Sequence, residues 1–475
     1  MASSTRTVTE TMSDSDALLW TIGRDPVLRT TIVAVLVLDR SPRFGEVRAR
    51  MEGLTQAEPR LRSRVEPAPL GWGRPAFVDD PGFDVDLHLR RMVAPPPATL
   101  RTVLDLAQVM GTVSFDPALP LWEAVVVEGL DAGQAAMVIK LHHAVVDGVG
   151  GIGVAMRLLD RHRGARPSDR PETPAGPGGP APPAGPASPS ASAAGVLRAG
   201  WAQAASASRQ LLGLAARTAA RPVEQAARAR AGARSVARLL APARRPMSAL
   251  LSERGIARRF EVLDLDPRRL HEAGAATHST MNDVFVTGVL GGLRRYHEAH
   301  GRPVEALRVL MPVSVRTGGH EATGNHFVPA RFVLPACADP AERLGRVREI
   351  TASWKNAPGL AVSDVLAAGL DRLPPPLVSR VWGSLLKGDD FVATNVPGPR
   401  FETYLAGARI EHFYAFAPPS GAALNVALVT PAGRACVGVN LDAAAVRDPS
   451  VMTRCLQDGF DEVLGLAGRV TRASA

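Results

Sequence analysis

The sequence predicts an α/β protein built from two α/β regions with a coreless segment between them. Three observations carry this. Strand-like and helix-like patterns alternate from residue 12 to about 163. They resume at "RRFEVLDLD", beginning at Arg258. Between them, Arg166 to Gly195 is a Pro/Gly/Ala/Ser run with no apolar period, which cannot bury enough surface to order itself. The implied organisation is a disordered N-terminus over 1–11, a first domain over 12–163, a disordered linker and arginine/alanine-rich helical segment over 164–250, and a second domain over 251–475.

The elements follow in chain order. "TTIVAVLVLD" is a β-branched apolar run and reads as a core strand, too short to span a bilayer. "RFGEVRARMEGLTQ" has helical spacing. "LWEAVVVEGL" and "AAMVIKL" are further strands, and "IGVAMRLLDR", from Ile152 to Arg161, is helical. In the second region "MNDVFVTGVLGGLRRYHEAHG" is a long amphipathic helix, "LRVLMPVSVR" and "VPARFVLP" are strands, and "AERLGRVREITASWKN" is a helix. "FVATNVPGPR" is a strand ending in a turn, and "RACVGVNLD" is a late strand.

The bulk composition narrows the class. A chain of 475 residues with 46% hydrophobic and 21% charged residues is ordinary for a globular protein with a large core. Cys337, Cys436 and Cys455 are too widely spaced for a metal knuckle and fit a reducing, cytoplasmic compartment. The first residues lack the apolar stretch of a signal peptide. The net charge of +9 is local. Ala194 to Arg245 holds ten arginines and one acid, Glu224, so the rest is near neutral and no general nucleic-acid footprint is present. Trp201, Leu197, Leu211, Leu212 and Leu214 give that basic segment apolar anchors, which suits an anionic membrane or lipid-body surface as well as a solvated connector. No G-x-S-x-G elbow, phosphate loop or dinucleotide fingerprint occurs in strand–helix context.

The stretch that carries chemistry is "IKLHHAVVDGVGG", Ile139 to Gly151. Successive side chains of a strand point to opposite faces, so His142 and His143 divide between a cavity and the core. Asp147 and Gly148 turn the chain, and Gly150 and Gly151 loosen it. Three readings are open. His143 and Asp147 at i, i+4 could share a metal, although the glycines oppose a helix there. The pair could be structural. One imidazole could move a proton, since its ordinary pKa lies near neutrality.

"HHAVVDG" matches the His-His-x-x-x-Asp-Gly motif of the chloramphenicol-acetyltransferase-like acyltransferases. With Pro120-Leu121-Trp122, the pair Asn282-Asp283 in "STMNDV", "GNHF" at Gly324 to Phe327, and "TNVPGP" at Thr394 to Pro399, the chain resembles the bacterial wax ester synthase/acyl-CoA:diacylglycerol acyltransferase family over nearly its whole length. It departs from that pattern at "MSDSDALLW", where Leu-Ser-Pro-x-Asp is usual, and at "ALNVAL" (Ala423 to Leu428), where Ser-Tyr-x-Gly is common. Thr394 also replaces a serine.

The resemblance implies an α/β (α+β) fold of two chloramphenicol-acetyltransferase-like domains with a substrate tunnel between them. It implies acyl-CoA as co-substrate, a diacylglycerol or long-chain alcohol as acceptor, no bound cofactor and no metal. His143 is the implied general base and His142 its support. Asp147 shapes the loop, with Arg316 as its partner, and Gly148 keeps the approach clear. Asn282 donates to an oxyanion or to the loop, or else caps its helix together with Asp283. Pro120, Leu121 and Trp122 pack beside the tunnel, and Asn395, Pro397 and Gly398 form a rigid turn between domains. Two rivals stand beside this: a condensation-type acyltransferase with a carrier-bound donor, and a non-catalytic lipid-body relative.

Overall fold

Apolar, β-branched runs dominate both regions, and each region condenses around one six-stranded sheet. The computed structural model describes residues 8–68, 74–145, 148–165, 245–314, 327–355 and 386–468. In chain order the first region contains β1 (Val8–Thr11), α1 (Asp14–Ile22), β2 (Thr31–Leu38), α2 (Phe44–Ala57), β3 (Ser63–Glu66), β4 (Ala76–Asp79), β5 (Leu89–Val93), α3 (Leu100–Thr112), β6 (Trp122–Glu128), β7 (Ala135–His142) and α4 (Gly148–Leu158). The second contains β8 (Arg258–Leu265), α5 (Pro267–Ala276), α6 (Met281–Ala299), β9 (Ala306–Ser314), β10 (Phe327–Pro335), α7 (Pro340–Lys355), β11 (Phe391–Pro397), β12 (Tyr404–Leu405), β13 (Ala408–Phe416), β14 (Leu424–Thr430), β15 (Ala435–Asp442) and α8 (Pro449–Leu464).

The first sheet runs β12-β13-β2-β7-β6-β5 and the second β10-β9-β11-β14-β15-β8. The first is not made from the first region alone. β13 pairs antiparallel with β2, Phe416 opposite Val33 and Ile410 opposite Leu38, so a strand from the late part of the chain extends the early sheet. The two parts of the chain pack as one compact unit around shared apolar surface. Phe260 of β8 stacks on Phe416 of β13 with ring centroids 4.1 Å apart, against Val33, Val35, Val103 and Val138.

Two sequence expectations need correction. Val8–Thr11, inside the stretch expected to be disordered, form β1 and pair with β4, because their backbone groups find ladder partners at Ala76, Phe77 and Val78. The helix expected from Ile152 begins at Gly148, so the glycines read as loosening a loop lie within its first turns.

The second core is organised by α6 and α8. α6 carries Gly288, Gly291 and Gly292 along a buried face, and each glycine is a point of close approach. A Cβ on Gly288 would lie 2.3 Å from Phe460 Cδ1, and one on Gly292 would lie 2.5 Å from Leu456 Cα. The two helices therefore touch at backbone distance, which only residues without a side chain allow.

Candidate active site

β7 is buried along nearly its whole length and ends at His142, between β2 and β6. His142 is opposite Thr31 of β2, and its N–H donates to the Leu121 carbonyl over 3.1 Å. Its neighbour His143 is half-buried and donates its backbone N–H to the Thr30 carbonyl at 2.9 Å. Both imidazoles thus start from a backbone held on two sides.

The ring of His142 has a defined tautomer. The Ala144 N–H donates to Nδ1 at 3.1 Å, so that nitrogen carries no proton. Nε2–H then donates to Thr30 Oγ1 at 3.0 Å, and the Thr30 hydroxyl donates to the Leu19 carbonyl at 3.3 Å. Trp20 and Phe115 flank the ring at 5.4 and 6.1 Å between centroids. Burial, with a smaller contribution from His143, pushes the pKa of His142 down to about 3, so the ring is neutral at physiological pH. Gly23 makes room for this chain: a Cβ there would stand 2.6 Å from Thr30 Oγ1.

The turn after the histidines is tied down from a distance. Arg60 Nη1 donates to the Ala144 carbonyl at 3.3 Å and to Asp16 Oδ2 at 3.3 Å. Arg60 Nη2 also donates to Glu10 at 2.6 Å. Asp16, fully buried, is the acid that ends "MSDSD". Burial alone would lower the Arg60 pKa, but the carboxylates of Glu10 and Asp16 outweigh it and raise it. Sequence reasoning missed Thr30, Arg60 and Asp16. Only Asp16 left a signal, as the acid that survives in a departing motif.

The other expected residues divide. Pro120, Leu121 and Trp122 are buried beside the histidine strand, with Trp122 opposite Leu141. Trp122 Nε1–H donates to the Leu61 carbonyl at 2.8 Å, and its ring stacks on His88 at 4.7 Å, so it is a packing residue. Asp283 caps α6: its carboxylate accepts from the Thr280 N–H at 2.9 Å and from Thr351 Oγ1 at 2.7 Å. Asp283 thus forms a capping box with Thr280, and Asn282 takes no part in it. Asn282 is half-buried in the first turn of α6 and has no hydrogen bond to the histidine turn among the described residues.

Asn395 and Pro397 lie on β11, parallel to β14, with Pro397 opposite Thr430. Gly398 follows where a Cβ would meet the Pro431 nitrogen at 2.7 Å, which explains a glycine in that turn. Gly148 opens α4. Asp147, Arg316 and residues 194–244 lie outside the described residues.

Among the described residues, one His/Cys/acid group has ligand atoms close enough to share an ion: Asp264, His412 and Cys436, within 4.8 Å of one another. The Tyr414 hydroxyl donates to Asp264 at 2.9 Å, and burial pushes the Cys436 thiol up to about 12.

With two six-stranded sheets and a small three-stranded one, the fold is the two-domain α/β fold of chloramphenicol-acetyltransferase-like proteins. It is shared with a wax ester synthase/diacylglycerol acyltransferase from Marinobacter aquaeolei VT8 (TM-score 0.61, 19% identity, 96% of this chain and 100% of that one). It is shared too with a variant of the starter condensation domain of rhizomide synthetase, solved with C8-CoA (TM-score 0.58, 14% identity, 96% and 94%). Residues 12–285 match the wax ester synthase/diacylglycerol acyltransferase catalytic domain, and residues 323–463 the C-terminal domain of the same family. A Mycobacterium tuberculosis H37Rv protein named as a diacylglycerol O-acyltransferase is 35% identical over 445 residues, 94% of this chain and 89% of that one. The chain belongs to the wax ester synthase/diacylglycerol acyltransferase family and is an acyltransferase. No helix among the described residues is long and apolar enough to cross a membrane.

Proposed function

We propose that the protein transfers a long-chain fatty acyl group from acyl-CoA to the hydroxyl of a diacylglycerol, a long-chain alcohol, or both, with His143 as general base. The supporting observation is the division of labour between adjacent imidazoles. His142 has both ring nitrogens engaged and is held neutral, which leaves His143, half-buried on the turn, as the ring for proton transfer.

His143 takes the proton from the acceptor hydroxyl as that oxygen attacks the thioester carbonyl carbon. The tetrahedral intermediate collapses, the C–S bond breaks, and the proton held by His143 passes to the leaving thiolate. The products are an ester and free CoA, and no acyl-enzyme is needed. A positioned base contributes roughly 10²–10⁴-fold. Asp147 orders the turn, Gly148 clears the approach, and Asn282 is the expected donor to the oxyanion or the loop.

The acceptor is water-insoluble, so the reaction takes place at a lipid surface. The basic segment Ala194 to Arg245 supplies peripheral contact with the inner membrane or lipid bodies, each basic residue adding ~1 kcal/mol near an anionic surface. The test incubates purified protein with palmitoyl-CoA and a panel of acceptors, follows CoA release and identifies the lipid formed. Ester formation from diacylglycerol or hexadecanol supports the proposal. Turnover only with a carrier-bound thioester would favour the condensation-type reading. For the surface contact, wild type should sediment with anionic vesicles at low salt, and a variant with several of those arginines changed to glutamine should not.

A further inference from the structure

Asp264, His412 and Cys436 come from three strands that the topology brings to one place. Asp264 of β8 stands opposite Cys436 of β15 in an antiparallel pair, so both side chains leave the second sheet on one face. His412 and Tyr414 are two apart on β13, a strand of the first sheet, and share a face there. The β13 register shifts between Ile410 and His412, an irregularity of the kind that re-aims a side chain. β13 and β15 meet at backbone distance: a Cβ on Gly438 would stand 2.2 Å from the Ala415 carbonyl oxygen. The His412 ring is held by stacking on Tyr414, with centroids 5.5 Å apart and 10° between planes.

The donor atoms have nearly the spacing of a coordination sphere. His412 Nδ1 lies 3.1 Å from Asp264 Oδ1, and the carboxylate oxygen, imidazole nitrogen and Cys436 sulfur are all within 4.8 Å of one another. Tetrahedral zinc keeps oxygen and nitrogen ligands about 3.3 Å apart and a sulfur about 3.6 Å from each. The oxygen–nitrogen edge is therefore already close to its bound length. Cys436 is fully buried, while the side chains of Asp264 and His412 are 52% and 22% exposed, free to turn toward the sulfur and open to an entering ion. The Tyr414 hydroxyl, 2.9 Å from Asp264 Oδ2, holds the second carboxylate oxygen, as outer contacts of metal sites do.

The donor set also chooses the ion. Thiolate and imidazole favour zinc-like cations over magnesium or calcium. Burial keeps the Cys436 thiol protonated without an ion, and a divalent cation supplies the positive charge that a buried thiolate lacks.

We propose that Asp264 Oδ1, His412 Nδ1 and Cys436 Sγ bind a thiophilic divalent cation, zinc being the best match, that ties the first sheet to the second. The site stands apart from the histidine turn. His412 is opposite Val37 on β2, six positions and roughly 20 Å along that strand from Thr31, which faces His142. Its task is structural and does not depend on the acyl-transfer reading.

The experiment strips the reduced, full-length protein with a chelator and titrates it with Co²⁺, then Zn²⁺, following absorbance. Wild type should develop a near-ultraviolet thiolate-to-cobalt charge-transfer band that saturates at one equivalent and disappears as Zn²⁺ is added. Cys436→Ser should lose the band, and a variant with Cys337→Ser and Cys455→Ser should keep it. His412→Gln, at a partly exposed position, should weaken Co²⁺ at least about tenfold while its metal-free melting temperature stays near wild type. Zn²⁺, but not Mg²⁺, should raise the melting temperature of wild type and not that of His412→Gln. No band in wild type at saturating Co²⁺, or a band of equal strength and affinity in wild type, Cys436→Ser and His412→Gln, overturns the site and leaves a hydrogen-bonded cluster.

Discussion

His142 Nε2 and Thr30 Oγ1 lie 3.0 Å apart in a buried contact that fixes which of two neighbouring imidazoles is structural. The bond joins the residue before β2 to the end of β7, and the Leu19 carbonyl extends it into α1. Thr30→Val keeps the volume and removes the hydroxyl, stranding the His142 N–H. Stability should fall by about 1–3 kcal/mol in urea denaturation. An unchanged midpoint would mean that the hydroxyl does not hold the ring.

The buried state of His142 has a pH signature. Its pKa falls from an ordinary value of 6.5 to about 3 on folding, so the unfolded chain binds the extra proton between those values. Stability from this group is intact above about pH 6.5 and is lost as pH falls toward 3, by ~1.4 kcal/mol per pH unit at most. His142→Asn keeps an acceptor for the Ala144 N–H and removes the titration. The stability difference between wild type and this variant should shift against wild type as pH drops from 7 to 4. A difference constant with pH would show that the ring is not held neutral.

Arg60 is expected to act on the site without touching substrate. Arg60→Gln removes the donor to the Ala144 carbonyl and the ion pair with Asp16, which should cost about 1–3 kcal/mol. Adding Asp16→Asn should cost less than it does in wild type, since its ion pair with Arg60 is already gone, while activity stays low because the turn is still untied. Additive losses in the double variant would show that the two side chains are not coupled.

The crossing of α6 and α8 gives a prediction about stability alone. Gly292→Ala places a Cβ where Leu456 Cα stands at 2.5 Å and should cost roughly 1–3 kcal/mol through overpacking. Thermal unfolding should report the loss, while KM for palmitoyl-CoA stays near wild type. A wild-type melting temperature would mean that the helices separate at little cost.

Much of this architecture is legible in local pattern. β2, β6, β7 and β15 are β-branched runs bounded by turns, and each forms where those runs lie. The strand that ends at His142 is legible from the apolar run before it, and the Thr280–Asp283 cap from the spacing of hydroxyl and acid. What local pattern does not contain is the partner. Nothing in "ARIEHFYAF" states that β13 joins the first sheet beside β2, because edge choice is settled by the apolar surface it meets, Phe416 against Phe260 among it. The Arg60–Asp16 tie joins residues 44 positions apart, and arginine is too common in this chain for one to stand out. The glycines of "DGVGG" point to a loop by propensity, yet α4 begins at Gly148, where tertiary context overrides a cost of about 1 kcal/mol per glycine.

The central claim is that two adjacent histidines have different tasks, and one comparison tests it most directly: kcat for palmitoyl transfer from palmitoyl-CoA to diacylglycerol or hexadecanol in His143→Ala and His142→Asn, each with its unfolding midpoint. His143→Ala should retain its midpoint and fall to about a hundredth of the wild-type rate or lower. His142→Asn should lose stability and keep more activity. A His143→Ala enzyme that retained more than about a tenth of the wild-type rate would contradict the assignment, because a positioned base is worth at least that much.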